Sequence, residues 1–414
     1  MILLKVSEGR VKMINKNFTL LWSGQIVSQL GDKLYAIALA WWILQKTNSP
    51  SVMGLFLLVS VLPGILLGLL AGALTDRWRR QTMLVVTDLV RGALVLAIAY
   101  LSFRGALQVG TVFIIGSALS IATAFFDPAM QALIPEIVAP ERLPRANGLS
   151  NMIGGICTVV GPLCGALAVS VVGLTWVFLA NSLSYFGAAL LACFITVRRG
   201  ARDSARRENL WREMRQGFAF IKRHRPLSAV LEIIAVAHFF IGSLAVTLPF
   251  LAKALSGSGV RNLGYLEMMI GAGLIAGSTL LGMRKNCSVS LRRLIGLVAA
   301  LGICFALIAA AQFLKVSTVY AYMLIIVVLG ACLSSASVFW ETLLQNYTPA
   351  NMAGRVFSVS TLLGNTSLPV AYGVFGVLLN LSSIPVIMGA CGASLIVLSG
   401  YQLCRYFPAG MNDS

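Results

Sequence analysis

Long apolar runs alternate with short polar connections along nearly the whole chain. A helix needs about 18–20 apolar residues to cross the hydrocarbon core of a bilayer. The runs are continuous rather than alternating, which disfavours a membrane barrel, and a helix satisfies its own backbone hydrogen bonds in lipid. The pattern therefore predicts about twelve helical spans, at residues 18–44, 51–74, 82–103, 109–134, 148–171, 174–196, 227–252, 262–283, 292–314, 317–345, 355–379 and 384–406.

The composition supports the same fold class. Of the 414 residues, 58% are hydrophobic and only 11% are charged, whereas a soluble domain carries about 25% charged residues. A chain so poor in charge cannot cover a water-facing surface. We therefore predict an all-α membrane protein of about twelve transmembrane helices.

The positive charge is distributed unevenly. The chain has 32 Lys and Arg against 14 Asp and Glu, a net charge of +18, and most of the basic residues lie in the N-terminal segment and in alternate connections. The positive-inside rule then places both termini in the cytoplasm. Basic residues at that surface predict attraction to anionic lipid headgroups rather than to nucleic acid.

The longest connection divides the chain into two halves. Residues 198–226 separate an N-terminal six-helix bundle, 1–197, from a C-terminal six-helix bundle, 227–414. The connection is predicted to hold an amphipathic helix on the inner membrane surface. Its apolar positions are Leu210, Met214, Phe218 and Ile221.

Similar loops recur at equivalent places in the two halves. GALTDRWRRQ (72–81) follows the second span, and GMRKNCSVSLRR (282–293) follows the eighth. PERLPRANG (140–148) follows the fourth span, and TPANMAGR (348–355) follows the tenth. Repeated halves are typical of transporters, whose substrate site lies between the halves near the middle of the membrane.

The stretch 72–81 resembles the loop motif of the major facilitator superfamily, G-x-L-x-D-R-x-G-R-R, although Trp78 and Arg79 stand where that motif has glycine and arginine. The resemblance implies two pseudo-symmetric six-helix bundles around a central cavity, working by alternating access.

Three other stretches resemble the macrolide-efflux and enterobactin-exporter branch of that superfamily. They are residues 125–151, 212–227 and 348–365. The resemblance is specific for the branch and says nothing of the substrate.

A stretch of the fifth span, GGICTVVGPLCGA (154–166), resembles the G-x-x-x-G-P-x-x-G-G motif of proton-coupled exporters. The resemblance implies export in exchange for protons, with the proton gradient and no cofactor as the energy source. The residues it assigns to the antiporter motif are Gly155, Gly161, Pro162 and Gly165.

The charged loop at 72–81 raises the question of why an acid stands among arginines. The positive-inside rule explains the arginines but not Asp76, which can interact with the N-terminal dipole of the third span and with arginines on neighbouring helices. We predict a latch that joins the halves when the site faces outward; the alternative is a basic hairpin that only fixes topology. Asp88 and Arg91 share a helix face and pair with each other or with this latch. The predicted latch comprises Gly72, Asp76, Arg77, Arg80, Asp88 and Arg91.

Acids within spans are functional candidates by default. Asp32 lies near the middle of the first span, where burial favours the neutral form of a carboxyl; its alternative role is a fixed partner for a basic group such as Lys33. Asp127 precedes Pro128, which frees a backbone carbonyl and allows the helix to bend. With Glu341 near the inner end of span 10, these acids are the proton-coupling candidates. By contrast, two further acids near span ends are expected to be solvated, namely Glu232 and Glu267.

An apolar substrate favours aromatic walls, although aromatic residues in spans usually serve helix packing or interface anchoring. His238 is either a functional polar group within an apolar span or a hydrogen-bonded packing residue. The substrate-cavity candidates are Trp41, Phe125, Phe126, His238, Phe239 and Trp340.

The sequence shows no machinery for catalysis. It has no G-x-x-x-x-G-K-[ST] loop for ATP, and with two histidines it shows no Ser–His–Asp or metal-ligand cluster. We therefore predict a proton-driven antiporter, not an enzyme, that exports drug-like or amphiphilic small molecules across a bacterial inner membrane and works as a monomer. A siderophore or metabolite exporter and a lysophospholipid-type lipid carrier of the same fold remain alternatives.

Overall fold

The computed structural model describes residues 14–75, 78–196, 210–284, 288–349 and 352–407. Asp76 and Arg77 of the predicted latch lie outside these residues, and of Gly72 only the helical backbone is described. Within the described residues the fold is entirely helical, with fourteen α-helices, one 3-10 turn and no strand. The predicted fold class is confirmed.

The N-terminal half contains α1 (Lys16–Thr47), α2 (Pro50–Val59), α3 (Leu62–Thr75), α4 (Arg80–Phe103), α5 (Val109–Ile137), a 3-10 turn (Pro140–Arg142), α6 (Leu143–Val172) and α7 (Leu174–Cys193). The connection contains α8 (Leu210–Arg223). The C-terminal half contains α9 (Arg225–Ala254), α10 (Gly259–Met283), α11 (Leu291–Phe313), α12 (Val319–Tyr347), α13 (Ala353–Leu381) and α14 (Ile384–Tyr406).

Eleven helical segments of the described chain are long and apolar enough to cross a membrane. The helix α1 is 32 residues long but is not among them, because it carries Asp32, Lys33 and further polar residues along its length. Its neighbours accommodate this polarity. Gly24 lies against the backbone of Ala188 on α7, and the stem of Lys33 lies against Gly161 on α6.

The packing partners repeat between the halves. In the N-terminal half α1 packs on α6, α3 on α5 and α4 on α7. In the C-terminal half the equivalent pairs are α9 with α13, α10 with α12 and α11 with α14. The two bundles therefore share one internal arrangement, as the recurrence of their loops suggested.

The halves meet at one end of the molecule. We call the side where α1 begins and α14 ends the basic face, and the other side the opposite face. Near the opposite face α6 packs on α10 and α2 packs on α13. A Cβ at Gly271 would lie 2.7 Å from the carbonyl oxygen of Thr158, and one at Gly54 would lie 2.7 Å from the Cα of Gly376. These close approaches form a seam that shuts the opposite face.

The second predicted span, 51–74, is not one helix. It divides into α2 and α3 at Ser60 and Val61, because Pro63 has no N–H to continue the ladder. The hydroxyl of Ser120 on α5 compensates, since it accepts from the Gly64 N–H at 3.0 Å and donates to the Val61 carbonyl at 3.3 Å.

The predicted amphipathic helix of the connection is α8. It packs on the start of α13, where a Cβ at Gly217 would lie 2.8 Å from the carbonyl oxygen of Arg355. Ile221 is buried, whereas Phe218 is exposed. The side chains of Leu210 and Met214 lie outside the described residues.

Candidate functional site

A cavity of about 1100 Å³ lies between the two halves. Its walls come from α1, α2, α3, α5 and α7 on one side and from α13 on the other. It reaches from Asp32 in the middle of α1 to Gln131 near the end of α5 and Arg355 at the start of α13. Both of those helix ends belong to the basic face, so the cavity opens there while the seam shuts the opposite face.

Most of the cavity wall is aliphatic, glycine or hydroxyl-bearing, and its charged and aromatic groups are few. The charged side chains among the described lining residues are Asp32, Asp127 and Arg355, and the aromatic ones are Phe56, Phe357, Tyr35 and Tyr185. Such a wall suits a large amphiphilic molecule, because the apolar surface takes its body and a few polar groups orient it.

Asp32 is held by α7. The hydroxyl of Tyr185 donates a hydrogen bond to its carboxylate. A Cβ at the preceding Gly31 would lie 2.6 Å from the hydroxyl oxygen of Ser184, so glycine is what lets α1 approach α7 closely here. The carboxylate thus faces the cavity with a fixed donor behind it.

Arg91 lies at the centre of the charges in the N-terminal half. It forms a buried ion pair with Asp88, one turn earlier on α4, so of the two predicted alternatives the structure shows these residues paired with each other. Its guanidinium lies 3.8 Å from the ring centroid of Phe126 and 4.7 Å from that of Tyr185. It also interacts electrostatically with Asp32 and Asp127. One cation therefore serves three carboxyls.

Asp127 itself lies on the cavity wall beside Pro128. The proline is inside α5, so it cannot donate to the carbonyl of Ala124, which also lines the cavity. The structure therefore places a carboxyl and a carbonyl without its helical N–H partner together on the cavity wall.

Among the described residues, the polar contacts of Arg80 stay within its own half. It pairs with Glu136 at 2.9 Å and donates to the carbonyl of Ala132 at 2.6 Å, both on α5. With the basic face open, this predicted latch arginine therefore joins α4 to α5 rather than one half to the other. Glu136 was not anticipated from the sequence.

The structure places the other predicted residues away from the described lining of the cavity. Glu341 is exposed on α12. Trp41 lies near the opposite face, against Gly259, and Phe126 lies beneath Arg91. Phe125 packs into the core between α1, α4 and α5.

The aromatic candidates of the C-terminal half pack among themselves. His238 shares a hydrogen bond of 2.8 Å with the carbonyl of Ile234 and its ring centroid lies 5.1 Å from that of Trp340. Phe239 contacts Phe240 and Phe375. In this state these residues serve the packing role that was the alternative prediction.

The glycines of α6 divide into two groups. A Cβ at Gly161 would lie 2.5 Å from the Cβ of Lys33, and one at Gly165 would lie 2.9 Å from the Cα of Leu34. Both glycines therefore allow α1 to pack closely on α6. The carbonyl of Pro162 lies at the seam with α10. Gly155 has no atom within 4 Å of an added Cβ and takes no part in this packing.

The prediction that Glu267 is exposed to solvent was wrong. This residue was expected to be solvated near a span end, but α10 begins at Gly259 and Glu267 is half-buried at the seam. It interacts electrostatically with Lys33 of the other half. The signal was present in the spacing, because Gly264 and Gly271 lie three residues before and four residues after it, on one helix face.

Comparison with known proteins gives a consistent result. The transmembrane secretion effector family of the major facilitator superfamily matches residues 11–410. Macrolide efflux protein A of Streptococcus pyogenes is 24% identical over 354 residues, covering 85% of this chain and 87% of that protein. The uncharacterized MFS-type transporter YfiS of Bacillus subtilis is 24% identical over 392 residues, covering 92% and 91%.

Solved structures share the fold. A bacterial homologue of the iron transporter ferroportin in its inward-facing state has a TM-score of 0.74 at 17% identity, covering 94% of this chain and 99% of that chain. An auto-inhibited POT family peptide transporter has a TM-score of 0.75 at 12% identity, covering 97% and 98%. With the family match over nearly the whole length, the chain belongs to the transmembrane secretion effector family of the major facilitator superfamily and is a multi-pass membrane transporter, not an enzyme.

Proposed function

We propose that this transporter is a secondary active exporter that exchanges amphiphilic small molecules for protons by alternating access. The observation that carries the proposal is the cavity of about 1100 Å³, largely apolar, open at the basic face and lined by the carboxyls of Asp32 and Asp127. The similarity to macrolide efflux protein A over 85% of the chain supports drug-like substrates of that size.

The lining chemistry favours a cationic or neutral amphiphile. Two carboxyls face the cavity, and Arg355 at its mouth is the basic side chain among the described lining residues. A catecholate siderophore is a polar anion and needs several cationic partners, which the described part of this wall lacks. A lipid carrier needs a cavity that opens sideways to the bilayer, whereas this cavity opens at the basic face.

Asp32 is our choice for the proton site, with Asp127 as the second candidate. A protonated Asp32 no longer attracts a cationic substrate, and its hydrogen bond with Tyr185 no longer holds a charge. Proton and substrate then compete for one carboxyl, so each is released on the side where the other is abundant. A ligand shifts the two states only through its differential affinity for them, and this competition supplies that difference.

The distribution of basic residues supports insertion in a cytoplasmic membrane with both termini inside. The basic face would then be cytoplasmic, and the state described here would load substrate from the cytosol or inner leaflet. Anionic headgroups are the expected lipid partners of that face. We propose a monomer as the working unit, with the proton gradient as the energy source and no cofactor.

The test uses inside-out vesicles with an acidic interior, to which macrolides, cationic dyes, lysophospholipids and catecholate siderophores are added one class at a time. Import of a substrate in exchange for protons dissipates the pH gradient. We expect cationic amphiphiles to do this with the wild type and not with Asp32→Asn.

The matched control is Glu141→Gln, which removes an exposed carboxyl on the 3-10 turn and should transport as the wild type does. Transport of a class without proton movement would overturn the coupling proposal. Dissipation by siderophores or lysophospholipids alone would replace the proposed substrate by one of the two alternatives.

A further inference from the structure

Lys33 lies where three parts of the molecule meet. Its stem rests on α6, where a Cβ at Gly161 would lie 2.5 Å from its own Cβ. Its ammonium interacts electrostatically with the carboxyls of Asp32 on α1 and Glu267 on α10. The first belongs to the N-terminal half and the second to the C-terminal half, so this cation is shared across the seam.

The seam holds Glu267 in place. On the same face of α10, a Cβ at Gly264 would lie 3.0 Å from the carbonyl of Pro162, and one at Gly271 would lie 2.7 Å from that of Thr158. Helix backbones this close leave little room for water between them. Glu267 thus faces α6 and Lys33 with its helix fixed one turn away on each side.

Asp32 has a second set of neighbours that does not touch Glu267. They are Tyr185, which donates a hydrogen bond to it, and Arg91, which interacts with it electrostatically. Protonation of Asp32 therefore alters two sets of interactions, the first with Tyr185, Arg91 and Asp88 inside the N-terminal half and the second with Lys33. Only the second leads to the seam.

We propose that Lys33 links the cavity carboxyl Asp32 to the seam carboxyl Glu267, so that neutralising Asp32 strengthens the attraction that closes the opposite face. This proposal rests on the proton exchange proposed above. When Asp32 is charged, Lys33 divides its attraction between two carboxylates. When Asp32 is neutral, Glu267 is the one of these two carboxylates that still attracts Lys33. The stronger attraction draws the two halves together.

The direction fits the exchange cycle. When the opposite face is open, a proton displaces the substrate from Asp32. The neutral Asp32 then favours closure of that face, which returns the carrier without substrate to the state open at the basic face. Loss of the proton at the basic face weakens the closure again, so the next substrate can drive the opening. Glu267 thus acts as a positioning residue that does not need to touch the substrate.

The experiment measures the opening of the opposite face as the distance between two spin labels, determined by double electron–electron resonance. Labels at Arg104→Cys and Leu314→Cys, exposed positions near that face on different halves, are placed in full-length protein whose eight native cysteines are replaced, in lipid nanodiscs. We expect Glu267→Gln to raise the ratio of open to closed populations about fivefold or more, and Asp32→Asn to lower it, since couplings of this kind are typically about 5–150-fold.

The decisive comparison repeats both variants with Lys33→Gln. We expect each effect to vanish in that background, because the link is then missing. An unchanged effect of Glu267→Gln, or of Asp32→Asn, in the presence of Lys33→Gln would overturn the proposal, as would the absence of any effect of Glu267→Gln. If Lys33→Gln does not yield folded protein, Lys33→Met takes its place.

Transport assays on the wild type separate this proposal from the proposed function. Loss of the Lys33 link with intact proton-coupled export overturns only the link. Spin distances that behave as expected in a carrier that moves none of the offered compounds support the link and overturn the proposed substrates.

Discussion

Arg91 is the residue on which the charged interior of the N-terminal half depends. It is buried, paired with Asp88, and covered by Phe126 and Tyr185. Removing one partner of a buried ion pair leaves an uncompensated charge, which costs about 3–5 kcal/mol. We therefore expect Arg91→Met to lower the free energy of unfolding by about that amount, measured by denaturant titration in mixed micelles.

A double variant separates lost charge balance from lost packing. Asp88→Asn together with Arg91→Met removes both charges and should recover most of the stability. Arg104→Met, at an exposed position near the opposite face, is the control and should change little. A double variant no more stable than Arg91→Met alone would show that the arginine acts through its ring contacts.

At the residue scale, the sequence predicts chemistry better than it predicts partners. An acid in the middle of an apolar run is costly wherever the run folds, so Asp32 and Asp127 stand out without a structure. Tyr185 gives no such signal, because one tyrosine in a span resembles any other. The predicted exposure of Glu267 was wrong because it depends on where α10 begins, and the ends of spans are the least certain part of a prediction from hydropathy.

The break between α2 and α3 is an element-scale feature that one side chain on α5 supports. Ser120 bonds the Gly64 N–H, which the helix leaves without a carbonyl partner, and the Val61 carbonyl, which also accepts from the Ile65 N–H. We expect Ser120→Ala to lower the free energy of unfolding by about 1 kcal/mol, the usual net value of one or two such bonds. Thermal unfolding of the purified protein measures it.

Ser117 on the same helix provides the control for that substitution. Its hydroxyl bonds the carbonyl of Phe113 within α5, so Ser117→Ala removes no contact between helices and should cost less. Equal losses for the two serine variants would mean that the break needs no support from Ser120.

The glycines of α6 allow a comparison within one helix. Alanine is favoured over glycine in a helix by about 1 kcal/mol, and at Gly155 the added methyl meets no atom within 4 Å. At Gly161 it would meet the Cβ of Lys33 at 2.5 Å, an atom fixed to the backbone of α1. We expect Gly155→Ala to stabilise the protein slightly and Gly161→Ala to destabilise it by about 1–3 kcal/mol, as measured by denaturant unfolding. Stabilisation by both variants would show that α1 does not rest on α6 as described.

Element boundaries show where local pattern stops being informative. The run 51–74 reads as one span because its composition is uniformly apolar, and Pro63 alone does not decide between a kink and a break. The break depends on Ser120, which is distant in sequence and offers its hydroxyl only after α3 and α5 have packed. A contact between distant residues of this kind has no counterpart in hydropathy.

At the scale of the whole molecule, the two halves could be predicted and the state could not. Repeated loops and the long connection 198–226 already divide the chain into two bundles. Which face is open depends on small differences in packing between the bundles, here the contacts of Gly264 and Gly271 with α6 and of Gly54 with α13. A sequence that alternates between two states must encode both, so it cannot single out one.

The closed seam and the open basic face make a directional prediction. Thr361 lines the cavity on α13, whereas Thr158 lies in the seam against Gly271. In a background without native cysteines, we expect a membrane-impermeant thiol reagent to modify Thr361→Cys faster from the basic face than from the opposite face, and Thr158→Cys slowly from either face. Inside-out vesicles expose the basic face if the positive-inside rule holds, so Thr361→Cys should react faster there than in right-side-out vesicles. Faster reaction in right-side-out vesicles would reverse the proposed orientation. Slower reaction from the opposite face is still expected, because a carrier that alternates exposes its cavity to each face in turn. Equal rates from the two faces would contradict a resting state that is open at the basic face.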